Sequence, residues 1–139
     1  RSLQTLSSER AHLSLGQAIL AAPDVHQDTF RQIAPSYRAV AERTTIYASN
    51  KDKAIGASRI LHRAPRVGRF PPIFTHSYTD TICISDIDLS FLGHGYYAEN
   101  RPVLTDMHRL IMSNDPPELR MGLRSRFLIN GDRYWNIVR

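Results

Sequence analysis

The sequence predicts an α/β domain of three layers, a parallel sheet with helices on both faces. Two observations predict it. Three short apolar or β-branched runs each stop at a turn residue, and segments with helical spacing lie between them. The 139 residues suit one domain, and a hydrophobic content of 42% is enough for a core. No internal repeat or low-complexity tract disturbs that reading.

The first strand is Gly16-Gln17-Ala18-Ile19-Leu20-Ala21-Ala22, which stops at Pro23-Asp24. Over residues 28–34, Phe30, Ile33 and Ala34 share a helix face. Pro35 either ends that helix or opens another over 36–42, where Tyr37, Val40 and Ala41 share a face. The second strand, Thr44-Thr45-Ile46-Tyr47-Ala48-Ser49, stops at Asn50-Lys51-Asp52. Residues 53–62 then place Ala54, Ile55, Ser58 and Leu61 at helical spacing. Residues 64–80 hold Pro65, Pro71 and Pro72 with several arginines and no period. Long irregular connections of this kind are often functional in compact domains. The third strand is Thr81-Ile82-Cys83-Ile84-Ser85, ended by Asp86. A last helix over 98–112 aligns Val103, Met107, Leu110 and Ile111, with Asn100 as N-cap and Pro102 in its first turn. Asn114-Asp115-Pro116-Pro117 stops it. Residues 124–139 read as a tail anchored by Tyr134 and Trp135. Near-continuous apolar runs suit parallel strands buried on both faces, and the alternation predicts right-handed crossovers.

Composition removes several function classes. The net charge is +5, but Arg59, Arg63, Arg66 and Arg69 in one segment and Arg120, Arg124 and Arg126 in another read as solvated surface. No reading helix or aromatic RNA-binding signature accompanies them, so no nucleic-acid partner is expected. No run reaches the roughly 18 apolar residues of a membrane span. The first residues carry no secretory signal, and a chain beginning at Arg1 is expected to have its native N-terminus upstream, which leaves the compartment open. Cys83 is the single cysteine, so an intrachain disulfide is impossible and a cysteine metal site is not expected. It reads as a buried strand residue.

In open α/β sheets, chemistry gathers at the carboxyl ends of the strands. The residues there are Asp24, Asp52 and the loop from Asp86 to Gly95. Asp52 can accept a hydrogen bond from an imidazole N–H, or cap the helix that follows, and the two roles are compatible. His94 lies between Gly93 and Gly95, where the backbone allows close approach by a substrate. It suits general acid–base work, or equally a turn histidine bonded to backbone. Asp24 is the alternative acid, or an ordinary turn aspartate. Asp86 and Asp88 near His94 do not complete a ligand set, so no metal is expected. His12, His26, His62 and His76 read as surface or helix-face residues, and His108 as structural. The nearest approach to a serine nucleophile elbow, Gly56-Ala57-Ser58-Arg59-Ile60, lacks the second glycine and lies inside a predicted helix. No glycine-rich phosphate loop is present.

Three blocks carry a resemblance. Ala21-Ala22-Pro23-Asp24-Val25, Tyr47-Ala48-Ser49-Asn50-Lys51-Asp52-Lys53-Ala54 and Leu92-Gly93-His94-Gly95-Tyr96-Tyr97-Ala98-Glu99-Asn100 are similar to blocks of an uncharacterised bacterial α/β-hydrolase family, esterase/lipase-like and treated as a domain of unknown function. The resemblance spans roughly residues 16–123 and makes 1–139 the C-terminal portion of one α/β-hydrolase domain. It implies that the three strands are the sixth, seventh and eighth of the hydrolase sheet. It also implies that Asp52 is the acid and His94 the histidine of a serine–acid–histidine triad. The substrate implied is a small ester or acyl compound, with no cofactor. The elbow, the oxyanion loop and five strands are then expected upstream, from a missing N-terminal half or through self-association at the open sheet edge. The arginine- and proline-rich segment 64–72 is expected beside the substrate entrance. The competing expectation is a non-catalytic assembly or binding domain with the same fold.

Overall fold

The computed structural model describes residues 14–50, 64–85 and 97–137, and the side chains of 97–100 are outside that description. Its elements are β1 (Leu15–Ala21), α1 (Gln27–Val40), β2 (Ala41–Ser49), β3 (Asp80–Ile84), α2 (Tyr97–Ser113), a 3₁₀ turn (Pro117–Leu119), β4 (Leu123–Phe127) and β5 (Arg133–Ile137). They build a five-stranded sheet in the order β1-β2-β3-β5-β4. β1, β2, β3 and β5 run parallel, and β4 returns antiparallel beside β5.

Register assigns the two faces. Tyr47 lies beside Ile82, and Ile82 beside Trp135. These three, with Ile84, form one buried cluster with Val103 of α2. Ile46, one residue away and so on the opposite face, packs with Phe30 and Ala34 of α1 and with Val67 and Phe74. Among the described residues one helix thus covers each face, giving the three layers that near-continuous apolar strands require.

α1 is one helix, with Pro35 inside it. An interior proline costs one backbone hydrogen bond and about 3 kcal/mol. Burial of Phe30, Ala34 and Val40 against the sheet offsets that cost, and the Phe30 and Tyr37 rings meet across the proline at 5.4 Å. α1 hands over to β2 without a loop. Ala41 and Glu42, helix formers by propensity, are drawn into the strand because Leu15 pairs with Ala41. α2 begins earlier than the sequence predicts, at Tyr97, so Asn100 is not its N-cap and Pro102 lies inside it. Its stop falls as expected. Asn114 takes φ 55, its N–H bonds Leu110 O at 2.9 Å, and its side-chain amide donates to Glu42 at 2.9 Å. The Gln17 side chain bonds the same residue, tying β1 to the end of α2.

Residues 124–139 do more than trail. β4 and β5 form a hairpin closed by Leu128 N to Asp132 O (2.8 Å) and by Gly131 at φ 86. Trp135 is buried against β3, with the Arg133 guanidinium 5.0 Å above its ring. Among the described residues β1 and β4 are the outer strands, and no helix is long and apolar enough to cross a membrane.

Cys83 is a buried strand residue, and burial pushes its thiol up to about 12. The thiolate is the reactive form. Ellman's reagent at pH 8 is therefore expected to leave Cys83 unmodified in the folded protein and to titrate it at once in denaturant. Rapid reaction without denaturant would show that β3 opens.

Candidate active site at the carboxyl edge

β1 and β2 part company at their carboxyl ends. Ala22 N still donates to Tyr47 O at 2.8 Å, but Ala22 takes φ 44 and the chain turns away. The segment after Ala64 enters the fork between them. On one side Val67 N bonds Val25 O (2.9 Å) and Gly68 N bonds Pro23 O (3.0 Å). On the other, Ser49 N bonds Gly68 O (3.0 Å) and Phe70 N bonds Ser49 O (3.3 Å). Residues 66–70 thus act as a short wedge, with Arg66 bridged to His26 and Arg69 to Ser49.

Side chains hold the wedge as firmly as its backbone. Val67 is fully buried among Phe30, Ala34 and Ile46. The buried Gln27 amide donates to Arg66 O at 3.3 Å and to Pro72 O at 3.2 Å. Phe74 meets Phe30 edge to face at 5.4 Å. Gly68 is required by space alone, since a Cβ there would sit 2.3 Å from Ala22 C and Pro23 N. Both obstacles are backbone and cannot swing aside. Gly68→Ala is expected to cost about 3 kcal/mol, at the upper end of overpacking penalties. Urea denaturation would read it, and a loss under 1 kcal/mol would mean that the wedge is not rigid.

The charged groups of this edge follow from that frame. Asp24, just past β1, has a largely exposed carboxylate that meets Arg66 Nε at 3.5 Å. His26 caps α1, its Nδ1 accepting from Asp28 N at 3.1 Å. Arg69 is exposed beside the end of β2. Asp52 follows in Ser49-Asn50-Lys51-Asp52, and His94 lies between β3 and α2. Both fall outside the described residues, as do Ser58, Asp86 and Asp88. The structure therefore places one of the three triad candidates, Asp24, and pairs it with a cation.

A second polar cluster lies between the sheet and α2. Tyr47 OH donates to Asp106 Oδ2 at 2.7 Å. Arg120 reaches the same carboxylate with Nε to Oδ1 at 3.0 Å and Nη2 to Oδ2 at 2.6 Å. Asp106 and Arg120 are each 3% exposed. Burial first, then the Asp106 carboxylate, holds the Tyr47 hydroxyl far above its ordinary value, with Arg120 opposing, so it remains a donor. The carboxylate accepts from both partners at once. This is a clamp between elements, not an open site. Nothing in the sequence announced it, because its members lie far apart along the chain.

Two cavities lie elsewhere. One of about 320 Å³ sits at the amino ends of β3 and β5, lined by His76, Asp80, Asp132 and Trp135 among others. Burial, then Arg31, keeps the His76 imidazole below its usual value, and its Nδ1 accepts from Tyr78 N at 3.2 Å. The other, about 500 Å³, lies between α2 and the hairpin, with Arg101 and Arg109 on its rim. Among the described residues no group of three or more metal-ligating side chains converges.

A mostly parallel sheet with helices on both faces is the three-layer arrangement of an α/β fold. Residues 1–113 match the family model described as an alpha/beta hydrolase of unknown function (DUF900), and the chain belongs to that family. Neither the curated proteins nor the solved structures gave a match.

Proposed function

We propose that this chain supplies the acid and the histidine of a serine hydrolase that cleaves carboxylic esters or related acyl compounds. The observation that carries the reading is the order of the parallel strands. β2 leads directly into the segment holding Asp52, and β3 into the segment holding His94, in a chain of the α/β-hydrolase family. In this reading His94 takes the proton of the attacking serine and returns it to the leaving group. Asp52 fixes the imidazole tautomer and stabilises the imidazolium.

No Gly-x-Ser-x-Gly elbow occurs in these 139 residues. The nucleophile is contributed by sequence outside them, in the same polypeptide or in an associated one. The test is labelling and turnover by the complete assembly. A fluorophosphonate probe should label a serine outside this segment, and short p-nitrophenyl esters should be hydrolysed. Absence of both would sink the hydrolase reading in favour of an assembly domain that keeps only the fold.

A further inference from the structure

We propose that the open edge of β4 takes an extended segment of a partner protein as a further strand, one that alternates acidic and apolar residues. The proposal stands on the hairpin alone and is independent of the hydrolase reading.

Three observations converge. The first is the edge itself. Among the described residues β4 is paired only on its β5 side. Its register against β5 is unbroken, from Leu123 opposite Ile137 to Phe127 opposite Arg133, and it holds no proline. Alternate residues of such an outer strand turn their backbone N–H and C=O groups to the open side, where another strand can bond them.

The second is charge. Leu123 and Ile137 pack against the cluster of Trp135 and Val103, so Leu123, Ser125 and Phe127 share the α2 face. Arg124 and Arg126 therefore share the other face, where their neighbours on β5 are the uncharged Asn136 and Tyr134. Both arginines are exposed. The carboxylates nearest to them in sequence are committed elsewhere. Asp132 accepts from Thr75 Oγ1 at 2.8 Å and from Asn130 Nδ2 at 3.0 Å, and Glu118 pairs with Arg133 at 2.5 Å. An acidic residue opposite each arginine thus completes a cross-strand ion pair.

The third is the apolar face. Phe127 is 66% exposed at the end of the strand. Apolar side chains at alternate positions of an added strand would cover Phe127 and Leu123, while the acidic ones met the arginines. The same charges select against a second copy. Two-fold antiparallel pairing of β4 centred on Ser125 sets Arg124 against Arg126 of the other copy, twice over. An edge guarded in this way rejects itself and admits a strand of opposite charge and the same period.

The test measures fluorescence anisotropy of the full chain with a short labelled peptide of alternating valine and glutamate, and with its valine–lysine counterpart. The glutamate peptide is expected to bind about tenfold or more tightly than the lysine peptide at low salt. Raising ionic strength should narrow the difference. Replacing both arginines, as Arg124→Glu with Arg126→Glu, should reverse the preference. Strand addition has a signature that charge alone lacks. Methylating alternate backbone nitrogens of the glutamate peptide should abolish binding in one register and spare it in the other.

Equal binding of the two peptides, or none, overturns the proposal. So does a glutamate peptide that binds equally well in both methylated registers, because the contact is then a charged patch and not a strand. A single-stranded RNA of equal charge that binds more tightly than the peptide would assign the arginines to nucleic acid. Dimerisation in sedimentation that Phe127→Glu abolishes would assign the edge to a second copy. Either result overturns the proposal as well.

Discussion

Arg120→Ala is expected to destabilise the protein by about 3–5 kcal/mol, the cost of stranding one partner of a buried ion pair. The Arg120 side chain is 0% exposed and that of Asp106 4%, with 2.6 Å between them. Without the guanidinium, the Asp106 carboxylate would keep, among the described residues, only the Tyr47 hydroxyl as side-chain donor. Asp106→Ala should cost as much, because it strands a buried cation instead. Tyr47→Phe should cost less, about 1–2 kcal/mol, since the ion pair survives it. Replacing both charges, as Asp106→Leu with Arg120→Met, is expected to be far milder than the two single losses added together. Urea unfolding of the four variants measures this. A loss below 1 kcal/mol for Arg120→Ala would show that the clamp contributes little. The consequence reaches beyond stability. Arg120 lies after residue 113, where the family match ends, yet it grips Asp106 of α2 within the matched region. α2 is the helix into which the His94 segment runs. Its seat on the sheet thus depends in part on a side chain that the family model does not cover.

β1, β2 and β3 were legible because each is an apolar or β-branched run closed by turn residues. The first and third fall within one residue of their predicted limits at both ends. The start of β2 was not legible, because pairing with β1 overrides the helical preference of Ala41 and Glu42. The hairpin of β4 and β5 carried a readable signal that the tail reading passed over. Asn130-Gly131 between two strand-like runs is a strong local hairpin mark. Of the expected site residues, Asp24 lies just past β1 as the strand-end argument has it, while Asp52 and His94, expected from strand ends and the family resemblance, lie outside the described residues. The wedge was visible only as an irregular stretch rich in arginine and proline. Its role depends on Gly68 meeting the backbone of Ala22 and Pro23, a contact without a local trace in either segment. The Tyr47, Asp106 and Arg120 clamp is illegible for the same reason. Its chemistry comes from three residues far apart in the chain, each of which reads alone as ordinary.

His94→Ala is expected to lower kcat/KM for p-nitrophenyl esters by about a thousandfold or more in the complete hydrolase, the usual worth of a general base that acts twice in one cycle. Asp52→Asn should approach the same loss, because the amide would hold the imidazole in the wrong tautomer. The decisive comparison is with Asp24→Asn, expected to cost less than about tenfold. Two features separate the acids. Asp24 has a side chain 73% exposed to solvent, and its carboxylate is engaged by Arg66. A triad acid must instead lose its water and keep its oxygens for the imidazole. Asp24 also follows β1, one strand further from the His94 segment than the end of β2 is. A collapse in Asp24→Asn with Asp52→Asn unaffected would reverse the assignment. It would also mean that Arg66 releases Asp24 when substrate arrives, so that the wedge moves during the reaction.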